Sequence, residues 1–235
     1  MNWDPSTVAA VNLSNGNLTA TNTGTTSTNQ GAHVAFANGV INGSGKYYFE
    51  GTLVTFTGGA GVGIGVGTIS ATYAGISTAG TQGVMCFAVG HTGGGTIMQD
   101  PTGNTGYTLG AQTSGAVFGI ALDMVNRKAW FRVSPSGLWD GNVSHDPTVP
   151  AGSGFVITGS NAVVPFVTFG NGLAGQAGVA GNVWTANFAG PFVGAVPTGF
   201  TALGPPAVIP SKGRVWISAL VKSLILPRQR REVSL

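Results

Sequence analysis

Charged residues are scarce in this chain of 235 residues. They make up 7% of the sequence, against roughly 25% in an ordinary soluble domain. A surface with so few charges has to be built from hydroxyl, amide and backbone groups. Such a surface is unusual for a freely diffusing enzyme, and it favours a subunit that works packed against other subunits.

Cysteines, a secretory signal and long apolar runs are also lacking. Cys86 is the only cysteine, which excludes an intrachain disulfide and a cysteine-based metal site, and we expect its side chain to be buried. The N-terminus has no basic region followed by an apolar run, so no secretory signal is visible. No segment reaches the ~18 uninterrupted apolar residues of a membrane span.

Glycine, by contrast, is abundant at 40 residues, and 43% of the chain is hydrophobic. The glycines keep no three-residue period, which excludes collagen, and the apolar content argues against a disordered chain. Short apolar runs alternate with Gly, Ser, Thr and Asn turns, and no run shows the i, i+3, i+4, i+7 stripe of a helix. The runs that predict strands are 8–13, 18–21, 33–36, 46–56, 62–69, 84–89, 117–124, 128–133, 155–158, 163–169 and 183–188. This pattern predicts an all-β fold, an antiparallel sandwich of two sheets.

The segment from 117 to 133 carries the clearest strand pattern. Both faces of 117–124 are apolar, so we expect that strand to be covered on both sides. In 128–133 the residues Lys128, Trp130 and Arg132 share one face, which predicts a half-exposed neighbour. The turn between the two strands lies at 125–127, and we expect Asp123 to organise it.

Charges are unevenly distributed along the chain. Residues 1–203 hold four basic and six acidic residues, a net charge of −2, whereas residues 204–235 hold six basic residues and one acid, a net charge of +5. The basic character therefore lies in the last segment, and no nucleic-acid-binding surface across the fold is indicated. We predict a β-sandwich over 1–203 and a C-terminal tail, punctuated by prolines, over 204–235.

The tail combines an apolar segment with a basic end. Segment 215–226 is mostly apolar and too short to fold alone, and free in solution it would form an exposed hydrophobic patch. We predict that the tail docks onto a partner protein, with its apolar residues buried and its arginines paired with acidic groups. The predicted docking residues are Val215, Trp216, Ile217, Leu220, Val221, Leu224, Ile225, Leu226, Arg228, Arg230 and Arg231. A membrane surface is a weaker alternative partner.

Residue types that carry out catalysis or bind cofactors form no recognisable motif. The glycines of 61–67 have neither the dinucleotide nor the phosphate-loop spacing, so we interpret the segment as a strand. His145 and Asp146 adjoin in one loop, but no Gly-x-Ser-x-Gly elbow is present, and no histidine has a neighbour at metal-ligand spacing. Asp140 and Asp146 share a loop and remain conceivable as a glycosidase pair. The sequence thus predicts no catalytic residues, no cofactor and no metal.

Aromatic and acidic residues in two glycine-rich loops are the candidates for ligand recognition. Trp139 is followed by Asp140, and Tyr107 lies within Gly-Asn-Thr-Gly-Tyr-Thr. Aromatic side chains among small polar residues are typical of surfaces that bind protein or carbohydrate. For Trp139 the alternative, that its ring folds back over the core, stays open.

The order of motifs from Trp3 to Phe200 resembles the SPRY domain family. The matching segments are Leu-Ser-Asn-Gly-Asn-Leu (13–18), Gly-Lys-Tyr-Tyr-Phe-Glu (45–50), Gly-Val-Gly-Ile-Gly-Val (61–66), Tyr-Ala-Gly (73–75), Phe-Gly-Ile-Ala-Leu-Asp-Met (118–124), Lys-Ala-Trp-Phe (128–131), Thr-Ala-Asn-Phe (185–188) and Pro-Thr-Gly-Phe (197–200). The resemblance implies a bent two-sheet β-sandwich that binds protein ligands through loops at one edge. In its Gly, Thr and Asn content the chain is similar to short SPRY-like proteins of bacteriophages and prophages.

These observations lead to a first hypothesis and several alternatives. The first is a non-enzymatic structural or adhesion protein of a phage-like virion, present in multiple copies and anchored to other virion proteins through its tail, with loops that bind a host-surface protein or glycan. The alternative is a soluble protein-recognition adaptor that uses the loop edge. A tail-associated polysaccharide-active enzyme ranks lower, because it requires acids that converge in a cleft.

Overall fold

A computed structural model of the chain shows two packed β-sheets. The structure describes residues 1–8, 10–25, 34–36, 41, 44–59, 61–69, 83–89, 94–100, 102–170 and 178–204, with the backbone alone for 34–36 and 85–89. The predicted tail-docking residues therefore lie outside the described residues. So do His33, His91, the motif at 73–75 and the side chain of Cys86.

The described residues form fourteen strands and one single-turn 3-10 helix (η1), and they include no α-helix. The elements are β1 (Val11–Ser14), β2 (Thr19–Asn22), β3 (Val34–Phe36), β4 (Lys46–Thr55), β5 (Val62–Gly67), β6 (Gly83–Val89), β7 (Thr96–Gln99), β8 (Gly103–Thr108), β9 (Val117–Asp123), β10 (Lys128–Val133), η1 (Trp139–Gly141), β11 (Phe155–Val156), β12 (Val164–Phe169), β13 (Val183–Asn187) and β14 (Thr201–Ala202). Within this part of the chain, the predicted all-β sandwich is confirmed.

The strands are divided between two sheets. The first has the order β1-β2-β13-β4-β9-β10-β11, and β14 pairs in parallel with β4. The second has the order β3-β12-β5-β6-β7-β8. All other pairings are antiparallel, including the long β4–β9 and β9–β10 ladders. The glycine-rich segment 61–67 is a strand between β12 and β6, as its alternating pattern predicted.

The main core lies between the facing sides of the two sheets. Alternate residues of the central strands enter it, because successive side chains of a strand point to opposite faces. Fully buried core residues are Phe49, Leu53, Val62, Ile64, Phe118, Ile120, Leu122, Phe131, Val167, Phe169 and Trp184. Each such side chain contributes about 1.5–3 kcal/mol by leaving water, so this layer supplies most of the stabilisation.

The outer face of the first sheet is covered as well. Tyr48, Ala121, Trp130 and Phe200 form a second buried cluster there, which we call the outer cluster, and Trp139 and Phe192 pack against it. The expectation that β10 is half-exposed is therefore wrong, because Trp130 is fully buried and Arg132 is only 8% exposed. Segments that follow β10 and β13 cover this face, which the sequence of β10 alone does not reveal.

Candidate functional site

The candidate site is built on the outer face of the first sheet, where β4, β9 and β10 run side by side. Tyr48 and Glu50 project from β4 on the side opposite to core residue Phe49, and Arg132 projects from β10. Three charged or phenolic side chains thus meet beneath the segment that follows β13. Each is nearly or fully buried.

Glu50 fixes the segment that follows β13. Its carboxylate accepts hydrogen bonds from the backbone N–H groups of Val193 and Gly194, both at 2.8 Å. It also accepts from the hydroxyl of Tyr48 at 2.7 Å and the hydroxyl of Ser134 at 3.1 Å. Four donors compensate the carboxylate for the water that it loses on burial. The buried acid therefore holds the loop that follows β13.

Arg132 lies between two aromatic rings. Its guanidinium carbon is 4.5 Å from the ring centroid of Trp139 and 5.8 Å from that of Tyr48, distances typical of cation–π contacts. One of its Nη groups donates to the carbonyl oxygen of Ala195, while Nε has no hydrogen-bond partner among the described residues. Arg132 thereby links the loop after β10 to the loop after β13.

Two glycines leave room for this polar cluster. A methyl group added at Gly194 would stand 2.6 Å from the guanidinium of Arg132 and 2.6 Å from the hydroxyl of Ser134. At Gly119 on β9 it would stand 2.4 Å from the hydroxyl of Tyr48. All three distances are too short for atoms that are not bonded to each other. The cluster therefore depends on residues without side chains at both positions.

Trp139 and Phe192 carry the edge of the cluster to the surface. Both rings meet the ring of Tyr48 edge-on, at centroid distances of 6.5 Å and 4.9 Å. Their chain neighbours Leu138 and Val193 are 54% and 56% exposed. These exposed apolar residues therefore adjoin two rings that both pack on Tyr48, on the outer face of the first sheet. We call Leu138, Trp139, Phe192, Val193 and Val196 the outer surface.

A small cleft opens beside the outer surface. It has a volume of about 200 Å³ and lies between the end of β8, the end of β10 and η1. Its lining residues are Thr108, Leu109, Val133, Gly137, Leu138 and Gly141. The outer surface and the cleft share Leu138, so a bound segment can contact both.

The residues predicted for loop recognition occupy three different environments. Trp139 is half-buried in η1, and its ring packs against the outer cluster. Tyr107 lies in strand β8 rather than in a loop and packs against His145 and Phe155, with centroid distances of 4.8 Å and 5.5 Å. Asp140 is fully buried. Its side chain is therefore inaccessible to a ligand in this structure.

Asp140 has a partner that the sequence pattern did not indicate. Its carboxylate accepts the backbone N–H of Phe131 at 2.8 Å and lies 2.8 Å from Nδ1 of His145. Burial raises the pKa of Asp140 to about 6, although both hydrogen bonds oppose the shift. The residue next to His145 in sequence, Asp146, instead accepts hydrogen bonds from Thr148 in an exposed turn. The histidine pairs with Asp140, and the two acids have separate structural roles.

Sequence reasoning missed Glu50 and Arg132 as parts of the site. Both carry a signal, because a charged residue that interrupts an apolar strand pattern in a chain with so few charges needs a buried partner. The contacts of these residues cannot be read from the sequence, since residues 50, 132 and 194 come together only in the folded chain. Among the described residues, no three His, Cys, Asp or Glu side chains are grouped as a metal site, and no helix there is long and apolar enough to cross a membrane.

This arrangement of two packed β-sheets with loops covering one outer face is that of a SPRY-like β-sandwich. No family model and no curated protein matches the sequence. Among solved structures, the chain is similar to the SPRY domain of human HERC1, with 16% identity, a TM-score of 0.53 and coverage of 79% of this chain and 97% of that one. It is also similar to stonustoxin, with 16% identity and a TM-score of 0.50 over 79% of this chain and 28% of that one.

A third similar structure is the PSpry domain of TRIM65, with 13% identity, a TM-score of 0.49 and coverage of 79% and 90% of the two chains. The likeness to the SPRY domain of HERC1 establishes a SPRY-like fold, as the order of sequence motifs predicted. The likeness to bacteriophage proteins rests on composition and stays a prediction.

Proposed function

We propose that the chain is a protein-recognition module that binds a segment of another protein on the outer surface. The observation that carries this proposal is the pair of exposed apolar residues, Leu138 and Val193, beside the half-buried rings of Trp139 and Phe192. Aromatic anchors surrounded by apolar contacts are the usual centre of a protein interface. The likeness in fold to SPRY domains supports this adaptor function.

The preferred partner is an uncharged, apolar segment. The charged groups next to the outer surface are Glu50, Arg132 and Asp140, and all three are buried and engaged within the fold. The surface therefore offers a partner apolar area and backbone groups rather than a charge. A ring or a branched side chain suits the cleft of about 200 Å³ beside Leu138.

The rigid base of the surface favours binding as well. Glu50 and Arg132 hold both loops by buried hydrogen bonds, so little conformational entropy is lost when a partner binds. In this function Trp139 contacts the partner directly, whereas Asp140 and Tyr107 position the loop that carries it.

A selection with displayed random peptides tests the adaptor function. Peptides selected on the full chain are expected to contain an apolar core and to lose at least tenfold in affinity for the Leu138→Asp variant, because a buried charge opposes docking. Val125→Asp is the matched control. Val125 is 62% exposed and lies at the β9–β10 turn, the opposite end of that hairpin. Equal losses in both variants, or no selected peptides, would contradict the proposal.

A second candidate function, the structural or adhesion role in a phage-like virion, is favoured by the charge distribution. The chain carries a net +5 in residues 204–235 and −2 before them, and an apolar, basic tail of this kind suits docking to an acidic neighbouring subunit. The docking residues named above would form that contact, and the outer surface would then face a host protein or glycan.

Co-sedimentation tests the virion role. In gently prepared source material, the chain is expected to sediment with a large particle, and deletion of 204–235 is expected to release it. Replacement of Arg228, Arg230 and Arg231 by Gln separates the charge contribution from the apolar one. A chain that sediments near its own mass of 23.6 kDa would rule out this role and leave the adaptor function.

A further inference from the structure

The position of η1 depends on one buried carboxylate. Asp140 lies in the left-handed region at φ 54°, ψ 20°, which is uncommon for residues other than glycine although aspartate adopts it more readily than most. The contacts here are the hydrogen bond from the N–H of Phe131 and the pairing with His145. Asp140 thus ties η1 to β10 on one side and to the following loop on the other.

η1 also carries a large part of the outer surface. Trp139 belongs to η1 and Leu138 immediately precedes it. On its other side η1 packs closely on β8, because a methyl group at Gly141 would stand 2.2 Å from the carbonyl oxygen of Thr108. A change in how firmly Asp140 is held therefore changes the position of Trp139 and Leu138 and the shape of the cleft.

Among the charged and titratable groups around the pair that the structure describes, His145 is the one that contacts the carboxylate of Asp140. From β8, the ring of Tyr107 packs against the imidazole ring of His145 at an inclination of 37°. From β10, Arg132 is engaged with Trp139 and Ala195, and Lys128 donates to the carbonyl oxygens of Pro150 and Ser153. From the loop, the carboxylate of Asp146 faces Thr148. Within the described residues, none of these cations forms an ion pair with Asp140.

A proton on the pair changes its net charge from −1 to zero. Without that proton, a single negative charge is buried with two hydrogen-bond donors, which is unfavourable in a medium of low dielectric. With it, the pair is either a neutral ion pair or a carboxylic acid hydrogen-bonded to imidazole, and the proton belongs to both groups.

We propose that Asp140 and His145 form a proton-operated latch on η1, which holds the outer surface in its binding shape when the pair is protonated and loosens it when the proton leaves. This inference deepens the proposed function, since it assigns regulation to the same surface. It rests on the geometry of the pair and on the position of η1 between β8 and β10.

The direction of the effect follows from linkage. The pKa of Asp140 is raised to about 6 from 3.8, so the carboxylate is easier to protonate in the folded chain than in the unfolded one. A raised pKa gives stability that is present at low pH and lost as pH rises through about 6. The latch therefore tightens toward pH 5 and loosens toward pH 7.5.

Hydrogen exchange of the full chain tests the latch without any partner. Protection of the backbone amides of Phe131 and 138–145, corrected for intrinsic exchange rates, is measured at pH 5 and pH 7.5. We expect protection there to fall by about tenfold more than protection in β9. This factor corresponds to the one pH unit between pH 5 and the pKa of about 6 of Asp140. In Asp140→Asn, which keeps the size and an acceptor for Phe131, the two regions should respond alike.

Asp146→Asn is the matched control and should behave like the wild type, because Asp146 is exposed and does not pair with His145. Equal losses of protection in the two regions of the wild type would overturn the latch, even if Asp140→Asn did not fold. That result would leave the proposed function intact, since peptide binding and its loss in Leu138→Asp are measured separately at one pH.

Discussion

Two buried carboxylates, Glu50 and Asp140, hold the loops of this surface, and they differ in the number of hydrogen bonds that they accept. Glu50 receives four hydrogen bonds from donors of β4, the segment after β10 and the loop after β13. Asp140 accepts one hydrogen bond from the backbone N–H of Phe131 and pairs with the imidazole of His145. The four donors let Glu50 fix its surroundings, whereas burial with only two partners raises the pKa of Asp140 to about 6.

Replacement of Glu50 by Gln is expected to lower the free energy of unfolding by about 2–4 kcal/mol. The amide nitrogen replaces either Oε2, which accepts the N–H of Val193, or Oε1, which accepts the N–H of Gly194 and the two hydroxyl groups, so in either orientation a donor faces a donor. Urea denaturation at pH 7 measures the change.

The control for Glu50 is Asp146→Asn, a change of the same chemistry in an exposed turn. It is expected to change stability by less than about 1 kcal/mol. Similar destabilisation by both variants would show that burial of Glu50 does not set its contribution.

At the scale of elements, the β9–β10 hairpin organises the site. Its turn is fixed by Asp123, whose carboxylate accepts the N–H groups of Val125 and Asn126 at 2.9 Å and the side-chain amide of Asn126 at 2.8 Å. Lys46 of β4 lies 3.2 Å from the same carboxylate. The expected role of Asp123 in the turn is therefore seen in the structure, and the ion pair to β4 adds a link across the sheet.

The hairpin has a pH dependence opposite to that of Asp140. Burial acts to raise the pKa of Asp123, but the hydrogen bonds from Asn126 and the contact with Lys46 outweigh burial and hold the pKa below its usual 3.8. A lowered pKa gives stability that is present above pH 3.8 and lost as pH falls below it. Asp123→Asn should therefore reduce stability at pH 7 by about 1–3 kcal/mol and flatten the acid limb of a stability–pH curve.

Acid and urea titrations of the wild type and Asp123→Asn measure this difference. Parallel curves for the two proteins between pH 5 and pH 2 would contradict the assignment. Asp4→Asn is a suitable control, because Asp4 also accepts hydrogen bonds in a turn, from the backbone and hydroxyl of Ser6, but it lies outside the sheet.

Three strands show where pattern recognition is weakest. Strands β7, β8 and β14 were not predicted, whereas the long apolar strands β4, β9, β10 and β12 were. The β8 segment reads Gly-Asn-Thr-Gly-Tyr-Thr, which is typical of a turn, yet it pairs with β7 at the edge of the second sheet. Its strand conformation comes from that pairing and from the packing of Tyr107, both of which are tertiary interactions.

On the scale of the whole molecule, the residues around 200 pack onto the outer cluster and pair with β4. β14 pairs with β4, the N–H of Leu203 donates to the carbonyl of Tyr48, and that of Gly204 donates to the carbonyl of Phe188. Phe200 is buried beside Tyr48 and Trp130. The domain boundary near 203 stays a proposal.

If the boundary lies near 203 as proposed, truncation after Gly204 is expected to change the free energy of unfolding by less than about 1 kcal/mol. Truncation after Phe188 removes the loop over Glu50 and Phe200, and it should destabilise the domain severely. Thermal and urea unfolding of the two truncated chains make the comparison. Large destabilisation by the shorter deletion would contradict the proposed boundary.

Alternating apolar residues and glycine-rich turns are local features, so the sequence alone was sufficient for the all-β class, most strands, the β9–β10 turn and the SPRY-like order of motifs. Hydrophobic period and turn chemistry act over a few neighbouring residues, which makes them readable without coordinates. The site could not be read in this way. Residues 50, 132 and 194 are distant in the chain, and folding brings them together.

Burial also reversed the expected roles of particular residues. Asp140 in a loop resembles a ligand contact, yet the segment around it places it beneath the surface against Phe131 and His145. Arg132 on an alternating strand resembles a solvent-exposed residue, yet Trp139 and the loop after β13 cover it. Exposure depends on which distant segments pack over a residue, and that is a property of the folded chain rather than of its local pattern.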